Sequence, residues 1–293
     1  MTNSLDLVLD AKAILGEGAI WSVPEQLLYW VDIEGERVHV FDPATGSNRT
    51  FDIGQPVGTV VPRASGGVTL AIHHGFAHLD LATGTLEFIV DPEPDSPNRF
   101  NDGKCDPSGR FWAGTMPYDA GAPSDGAALW CLHPNGTVER KVTGVRCSNG
   151  IAWSLDATTM YYIDTPTSEV RAYDFDSATG AISNPRVAIS VPRSDGWPDG
   201  MTIDAEGMLW VAHWDGWQVV RWNPITGEKM AKIHVPAARV TSCAFGGPDL
   251  LDLYITTARS GLAEEQLAKQ PHAGGIFGVR PGARGVPSFA FAG

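Results

Sequence analysis

Four residues with oxygen-bearing side chains recur at matching places in this chain of 293 residues, namely Glu17, Asn101, Asn149 and Asp199. Each of them comes shortly before an aromatic residue in a hydrophobic stretch. The distance is 13 residues for Glu17 and Asn149, and 11 residues for Asn101 and Asp199. Carboxylate and amide oxygens that converge on one point suit a hard cation such as Ca²⁺, Mg²⁺ or Mn²⁺, and could also hold Zn²⁺ or Fe²⁺. Three protein ligands would leave coordination positions open to water or substrate, as in catalytic metal sites. The pattern therefore predicts one divalent-cation site.

A local turn is the simpler explanation of part of this pattern. Asn149-Gly150 and Asp199-Gly200 are strong hairpin signals, and either pair alone predicts a plain turn. Glu17 occupies the equivalent place although glutamate is not favoured in turns. The agreement of four positions therefore favours a shared polar ring.

Histidine does not contribute to this ring. None of the eight His residues stands at an equivalent position, and His73, His74 and His213 follow directly after strands, where we interpret them as core or solvent-facing residues. The sequence therefore gives little support to a zinc site built from histidines.

A six-fold repeat supplies the elements that would bring the four residues together. Its clearest unit, residues 98–116, has a polar cluster, a tight turn and a short apolar strand in that order. One equivalent strand residue marks each of the six units: Trp30, Ala71, Trp112, Tyr162, Trp210 and Tyr254. Successive marker residues are 41, 41, 50, 48 and 44 residues apart. A repeat of about 40–50 residues filled with short strands is typical of propeller blades of four strands each. We therefore predict an all-β, six-bladed β-propeller that forms a single domain over residues 1–293.

The two ends of the chain are predicted to close the ring. Residues 5–9 alternate weakly and need a sheet to join, and the natural partner is the last blade, built from residues 276–279 and 288–291. Closure by strands from both termini removes the open edge of the sheet.

The pocket is expected at one mouth of the channel, where the first strands of successive blades place equivalent residues in a ring. The weaker repeats put only small uncharged residues there, near Thr59 and Ser242. Two long connections, residues 117–125 and 192–198, would supply pocket walls at this mouth. Most of the ten Trp residues are predicted to pack between blades, whereas Trp197, beside Asp199, is expected to line the pocket.

The composition excludes several classes of partner. A net charge of −13, from 34 acidic and 21 basic residues, disfavours nucleic acid and anionic lipid. The first residues have neither a basic segment nor a long apolar run, so no signal peptide or membrane span is predicted. The four Cys residues lack C-x-x-C spacing and are interpreted as buried free thiols in a reducing compartment. We expect a cytoplasmic protein, either a monomer or a weak oligomer.

Five segments make the chain resemble the SMP-30/gluconolactonase/regucalcin-like family of sugar lactonases, in the right order along the whole chain. They are GEGAIW, NRFNDGKCDPSGRFWAGTM, SNGIAWS, PDGMTID and FGGPDLLDLYITTAR. The resemblance implies a six-bladed propeller that holds one divalent cation, most often Ca²⁺, through Glu17, Asn149 and Asp199. It further implies that Arg99 and Asn101 bind the lactone. Asp119, in GTMPYDAG, would be the counterpart of an acidic residue that binds sugar hydroxyls.

A mechanism follows as a hypothesis from this resemblance. The cation would polarise the lactone carbonyl, and Asp199 or the cation itself would activate a water. The sugar is not specified, because an Arg, Asn and Asp pocket suits several aldonolactones. Two alternatives stay open: a related six-bladed calcium-dependent hydrolase of aryl esters or organophosphates, and a non-catalytic calcium-binding propeller. The second would be expected to show repeated surface signatures such as a WD dipeptide at repeat spacing, and these are missing from the sequence.

Overall fold

Six four-stranded antiparallel sheets form the fold in a computed structural model that describes residues 4–119 and 126–293. The first strands of neighbouring blades contact one another all the way around the ring, so they line the central channel. The strands, from the channel outward in each blade, are β2 (Gly16–Ser22), β3 (Leu27–Asp32), β4 (Arg37–Asp42) and β5 (Ser47–Asp52); β6 (Val57–Pro62), β7 (Val68–Ile72), β8 (Gly75–Leu79) and β9 (Leu86–Val90); β10 (Asn98–Cys105), β11 (Phe111–Pro117), β12 (Ala128–Leu132) and β13 (Val138–Thr143); β14 (Ser148–Trp153), β15 (Thr159–Asp164), β16 (Glu169–Asp176) and β17 (Ala181–Ser190); β18 (Trp197–Ile203), β19 (Leu209–Trp214), β20 (Gln218–Trp222) and β21 (Lys229–His234); and β22 (Arg239–Gly246), β23 (Asp252–Ala258), β24 (Ile276–Val279) and β1 (Asp6–Leu9).

Helical structure is minor. There is one α-helix, α1 (Glu264–Lys269), and two short 3-10 helices, Thr165–Thr167 and Arg193–Asp195, in the described part of the chain. No helix found there has both the length and the apolar character needed to cross a membrane.

The predicted six-bladed architecture is confirmed. Each of the six residues that define the repeat lies in the second strand of its blade and is buried. The outermost strands, such as β5 and β21, are largely exposed. Apolar side chains of the three inner strands therefore fill the spaces between blades.

Ring closure follows the prediction in part. β1 pairs with β24, so the last blade takes its outermost strand from the beginning of the chain. The prediction that residues 288–291 belong to this blade is wrong, because no strand forms there. β1 already occupies the edge of the sheet that the segment would have joined.

Residues 285–291 instead cross the base of the ring. Gly285 forms a β-bridge with Asp204 of the fifth blade and donates its N–H to Leu250 O of the adjacent sixth blade at 2.8 Å, whereas Phe291 donates its N–H to Pro62 O of the second blade at 2.8 Å. Six residue steps span at most about 22 Å, so a segment that joins opposite blades takes the direct path beneath the channel. Phe291 is buried at the far end, and the segment therefore covers the mouth opposite the start of the inner strands.

Two buried aspartates anchor the turns of this base. Asp204 Oδ1 accepts the N–H groups of Glu206 and Met208, while its Oδ2 accepts hydrogen bonds from Trp210 Nε1 at 2.9 Å and Arg221 Nε at 2.7 Å. Asp106 of the third blade likewise accepts two backbone N–H groups and Trp112 Nε1, but its arginine partner is Arg110 of the same turn. Each carboxylate thus joins its turn to a buried tryptophan of the next strand.

We predict that Asp204→Ala lowers the free energy of unfolding by about 3–5 kcal/mol, because the buried Trp210 and the half-buried Arg221 lose this acceptor. Urea denaturation followed by circular dichroism measures the change. The control is Asp156→Ala, since Asp156 is exposed in the equivalent turn of the fourth blade and bonds only to local partners. A similar shift in both variants would contradict the anchoring role.

Candidate active site

The four ring residues predicted from the sequence lie on the innermost strands of four blades. Glu17 is on β2, Asn101 on β10, Asn149 on β14 and Asp199 on β18, near the beginning of each strand. All four are buried, with 4–6% of their surface exposed. The pairing register with the second strand breaks at each of these positions. Such a break re-aims side chains, which is why bulges are common beside active sites.

The alternative explanation of Asn149-Gly150 and Asp199-Gly200 as hairpin turns does not hold. Both pairs lie inside strands, where the glycine serves close packing between neighbouring inner strands. A Cβ on Gly150 would stand 2.7 Å from Asp199 O of the next blade, and one on Gly200 would stand 2.8 Å from Thr241 O of the blade after that. Since any side chain would force these backbones apart, the ring of polar residues depends on glycine at the adjacent positions.

Two carboxyl groups meet in this ring. The side chains of Glu17 and Asp199 are within hydrogen-bonding reach of each other, and Asp199 Oδ1 is buried without a donor among the described residues. Glu17 Oε2 accepts the N–H of Gly18 at 3.0 Å. Burial raises the pKa of both carboxyls, and the charge of nearby Asp102 raises them further. The surrounding residues therefore do not supply enough positive charge to balance two ionised carboxylates.

The two amides of the ring have different partners. Asn101 Oδ1 accepts a 2.8 Å hydrogen bond from Arg99 Nη1, and Asn101 Nδ2 donates to Ser148 O at 2.7 Å. Asn149 Nδ2 donates to Thr165 Oγ1 at 2.8 Å, which leaves its Oδ1 with only a 3.3 Å bond from Asn101 Nδ2. The oxygen of Asn149 is thus available as a ligand, whereas that of Asn101 is already used.

A divalent cation fits these donors. It would satisfy the orphaned Asp199 oxygen and neutralise the two facing carboxyls, and the Asn149 oxygen would serve as a third ligand. No group of three or more His, Cys, Asp and Glu side chains converges in residues 4–119 and 126–293, so an amide ligand is needed for a three-ligand site.

These residues line a pocket of about 420 Å³. Arg99 and Asn101 form part of its wall, as predicted, and so does Trp197. Residues from both long connections, Pro117 and Trp197, line the same pocket, while residues 120–125 of the first connection lie outside the described residues. Asp119 is exposed and does not line the described part of the pocket, so its role stays a prediction.

Several pocket residues were not predicted. Thr165 donates from Oγ1 to Pro198 O at 2.8 Å, so it connects the Asn149 amide to the backbone beside Asp199. Trp214, Glu34, Arg146 and Ser260 also line the pocket. The Trp214 position follows from the β18–β19 hairpin, where it pairs with Trp197, but the other residues come from blades distant in sequence.

The prediction that His213 is a core residue is confirmed, whereas the prediction that all four cysteines are buried is wrong for Cys147, which is only half-buried. His213 is fully buried with Nδ1 at 2.9 Å from Asp195 O, and burial lowers its pKa to about 4. The four cysteines are free thiols. Cys147 lines the pocket, yet burial raises its pKa to about 12, so it is held as a neutral thiol.

Several known proteins are similar to this chain in sequence and in fold. The family described as the SMP-30/Gluconolactonase/LRE-like region matches residues 15–259. Regucalcin of Danio rerio is 41% identical over 290 residues, which are 99% of this chain and 98% of that protein. A candidate sugar lactone lactonase of Bacillus subtilis (strain 168), YvrE, is 41% identical over 292 residues, 99% of each chain. The solved structure of an Agrobacterium tumefaciens regucalcin, described as a calcium-binding protein, matches with a TM-score of 0.92 and 27% identity, over 97% of this chain and 96% of that one.

Proposed function

We propose that this chain, which belongs to the SMP-30/gluconolactonase/LRE-like family, is a metal-dependent hydrolase that opens a sugar lactone to the corresponding aldonic acid. The observation that carries the proposal is the buried Asp199 oxygen, which has no donor among the described residues and lies near Glu17 in the lining of a pocket that also contains Arg99. The name of the Bacillus relative supports the same reaction class. The cytoplasmic location and the monomeric or weakly oligomeric state remain predictions.

Glu17, Asn149 and Asp199 would hold one divalent cation. Their oxygens favour Ca²⁺, which agrees with the description of the Agrobacterium structure, although Zn²⁺, Mn²⁺, Mg²⁺ and Fe²⁺ also suit oxygen ligands. When bound, such an ion supplies Lewis-acid polarisation of the lactone carbonyl.

The side chains of the pocket would perform the other steps. Arg99 orients the ring by donating hydrogen bonds to its oxygens, and Asn101 would do the same with the N–H that otherwise makes the long 3.3 Å bond to Asn149 Oδ1. Asp199 accepts a proton from the attacking water as a new C–O bond forms at the carbonyl carbon. When the ester C–O bond of the ring breaks, that proton goes to the departing ring oxygen. One lactone and one water thus give one open-chain hydroxy acid.

The substrate class is tested with a panel of aldonolactones, paraoxon and phenyl acetate, assayed on protein stripped by chelation and then reloaded with single divalent ions. We expect hydrolysis of one or more aldonolactones that disappears on chelation and returns with Ca²⁺ or another of the ions named above. Hydrolysis of paraoxon or phenyl acetate alone would assign the chain to the aryl ester and organophosphate hydrolases. No hydrolysis of any compound would leave a binding propeller.

Replacing the base should stop the reaction without unfolding the protein. We expect Asp199→Ala to lower kcat at least about 100-fold, because general-base catalysis contributes about 10²–10⁴-fold. The measurements are lactone hydrolysis and the thermal unfolding midpoint. Asp156→Ala, which removes an exposed aspartate far from the pocket, is the control for activity. Near wild-type turnover by Asp199→Ala would refute the assigned role.

The two ring asparagines should separate ion binding from substrate binding. We expect Asn149→Ala to weaken Ca²⁺ binding, whereas Asn101→Ala keeps the ion and raises KM about tenfold, because its oxygen is occupied by Arg99 and it would act on the substrate. Calorimetric Ca²⁺ titration and steady-state kinetics measure both variants. Loss of the ion from Asn101→Ala would place Asn101 among the ligands instead.

A further inference from the structure

Two tryptophans form one wall of the pocket. Trp197 and Trp214 are paired residues of the β18–β19 hairpin, and both line the pocket. They are only partly buried, unlike Trp21, Trp30 and Trp112, which are fully enclosed between blades. The two indoles therefore present aromatic surface to a ligand beside Asp199.

An arginine covers one face of each of these indoles. The guanidinium carbon of Arg193 lies 3.4 Å from the ring centroid of Trp197, and that of Arg239 lies 4.6 Å from the ring centroid of Trp214. Arg193 donates to Pro166 O at 3.3 Å, and Arg239 donates to Asp215 Oδ1 at 3.3 Å. Because the cation occupies one face of each ring, the opposite face and the edge are what remain for a pocket ligand.

The backbone before Trp197 is held in place. Asp195 forms an ion pair with Lys229, and its carbonyl oxygen lies 2.9 Å from His213 Nδ1 and accepts a 3.2 Å bond from Gln218 Nε2. The residues Asp195 and Trp197 are separated only by Gly196, where a Cβ would stand 2.5 Å from Trp214 O. The aromatic wall is therefore fixed before a ligand binds, which lowers the entropic cost of binding.

We propose that Trp197 and Trp214 form a stacking platform for the C–H face of a cyclic polyol, so that the pocket binds a closed, hydroxylated lactone ring in preference to an open-chain polyol. The inference rests on the proposed function and adds the positioning residues that would choose the substrate. The face of an indole is the negative part of its quadrupole and attracts C–H groups polarised by neighbouring oxygens. Arg99 and Asn101 would bind the ring oxygens while the platform holds its apolar face.

Kinetics of Trp197 variants test the platform. We expect Trp197→Ala to raise KM for the aldonolactone substrate about tenfold, while kcat changes by less than roughly twofold, since stacking acts on bound substrate and transition state alike. Trp197→Phe keeps an aromatic ring and should restore most of the affinity. Trp217→Ala is the matched control, because Trp217 is exposed and lies outside the pocket lining. Unchanged KM in Trp197→Ala, or equal KM in the Ala and Phe variants, would overturn the proposal.

A second measurement does not depend on hydrolysis. Saturation-transfer NMR with Ca²⁺ present compares methyl glucoside, a closed ring, with glucitol, its open-chain counterpart. We expect ring C–H signals from methyl glucoside that fall in Trp197→Ala and persist in Trp217→Ala, and weaker transfer to glucitol. Equal transfer to both compounds, or transfer that Trp197→Ala leaves unchanged, would overturn the platform. If the wild type hydrolyses no lactone, the proposed function fails, while this comparison still decides the platform.

Discussion

The close approach of neighbouring inner strands is the constraint on which the site depends. Where Gly150 faces Asp199 O, and again where Gly200 faces Thr241 O, two backbones come so near that a Cβ would collide with the adjacent strand. This contact sets the width of the channel mouth and brings acidic and amide groups from separate blades together. Dense packing of the surrounding blades resists any widening, because a packed interior deforms little.

Bringing these polar groups together in a buried ring costs electrostatic free energy. Two facing carboxyls in a buried position repel each other, and the charge of Asp102 adds to that repulsion. The fold tolerates this arrangement because buried tryptophans and aspartate-anchored turns stabilise the blades elsewhere. Functional sites commonly store such unfavourable electrostatics, since the stability of the whole domain compensates for it.

Repetition explains how much of the fold could be predicted from the sequence. Each unit repeats the same order of polar residue, turn and apolar strand, so six weak signals combine, and the positions from Trp30 to Tyr254 all lie in second strands. Residues 288–291 belong to no repeat. A short apolar segment of this kind is compatible with an edge strand and also with a segment that crosses the base of the ring. The actual partners of Phe291, Pro62 and Ala64, are distant in sequence and cannot be identified from local pattern. For the same reason, spacing brought out Glu17, Asn149 and Asp199, but it gave no indication of Thr165 or Glu34.

The segment beneath the ring has a consequence for traffic through the molecule. Because residues 285–291 run from the fifth blade to the second across the base, they obstruct the straight path through the channel. A compound that reaches Asp199 arrives through the mouth bordered by Trp197 and leaves by the same route. A molecule in the pocket must therefore leave before the next one can enter. The shape of the propeller, with its obstructed base, thus sets the order in which bound molecules exchange.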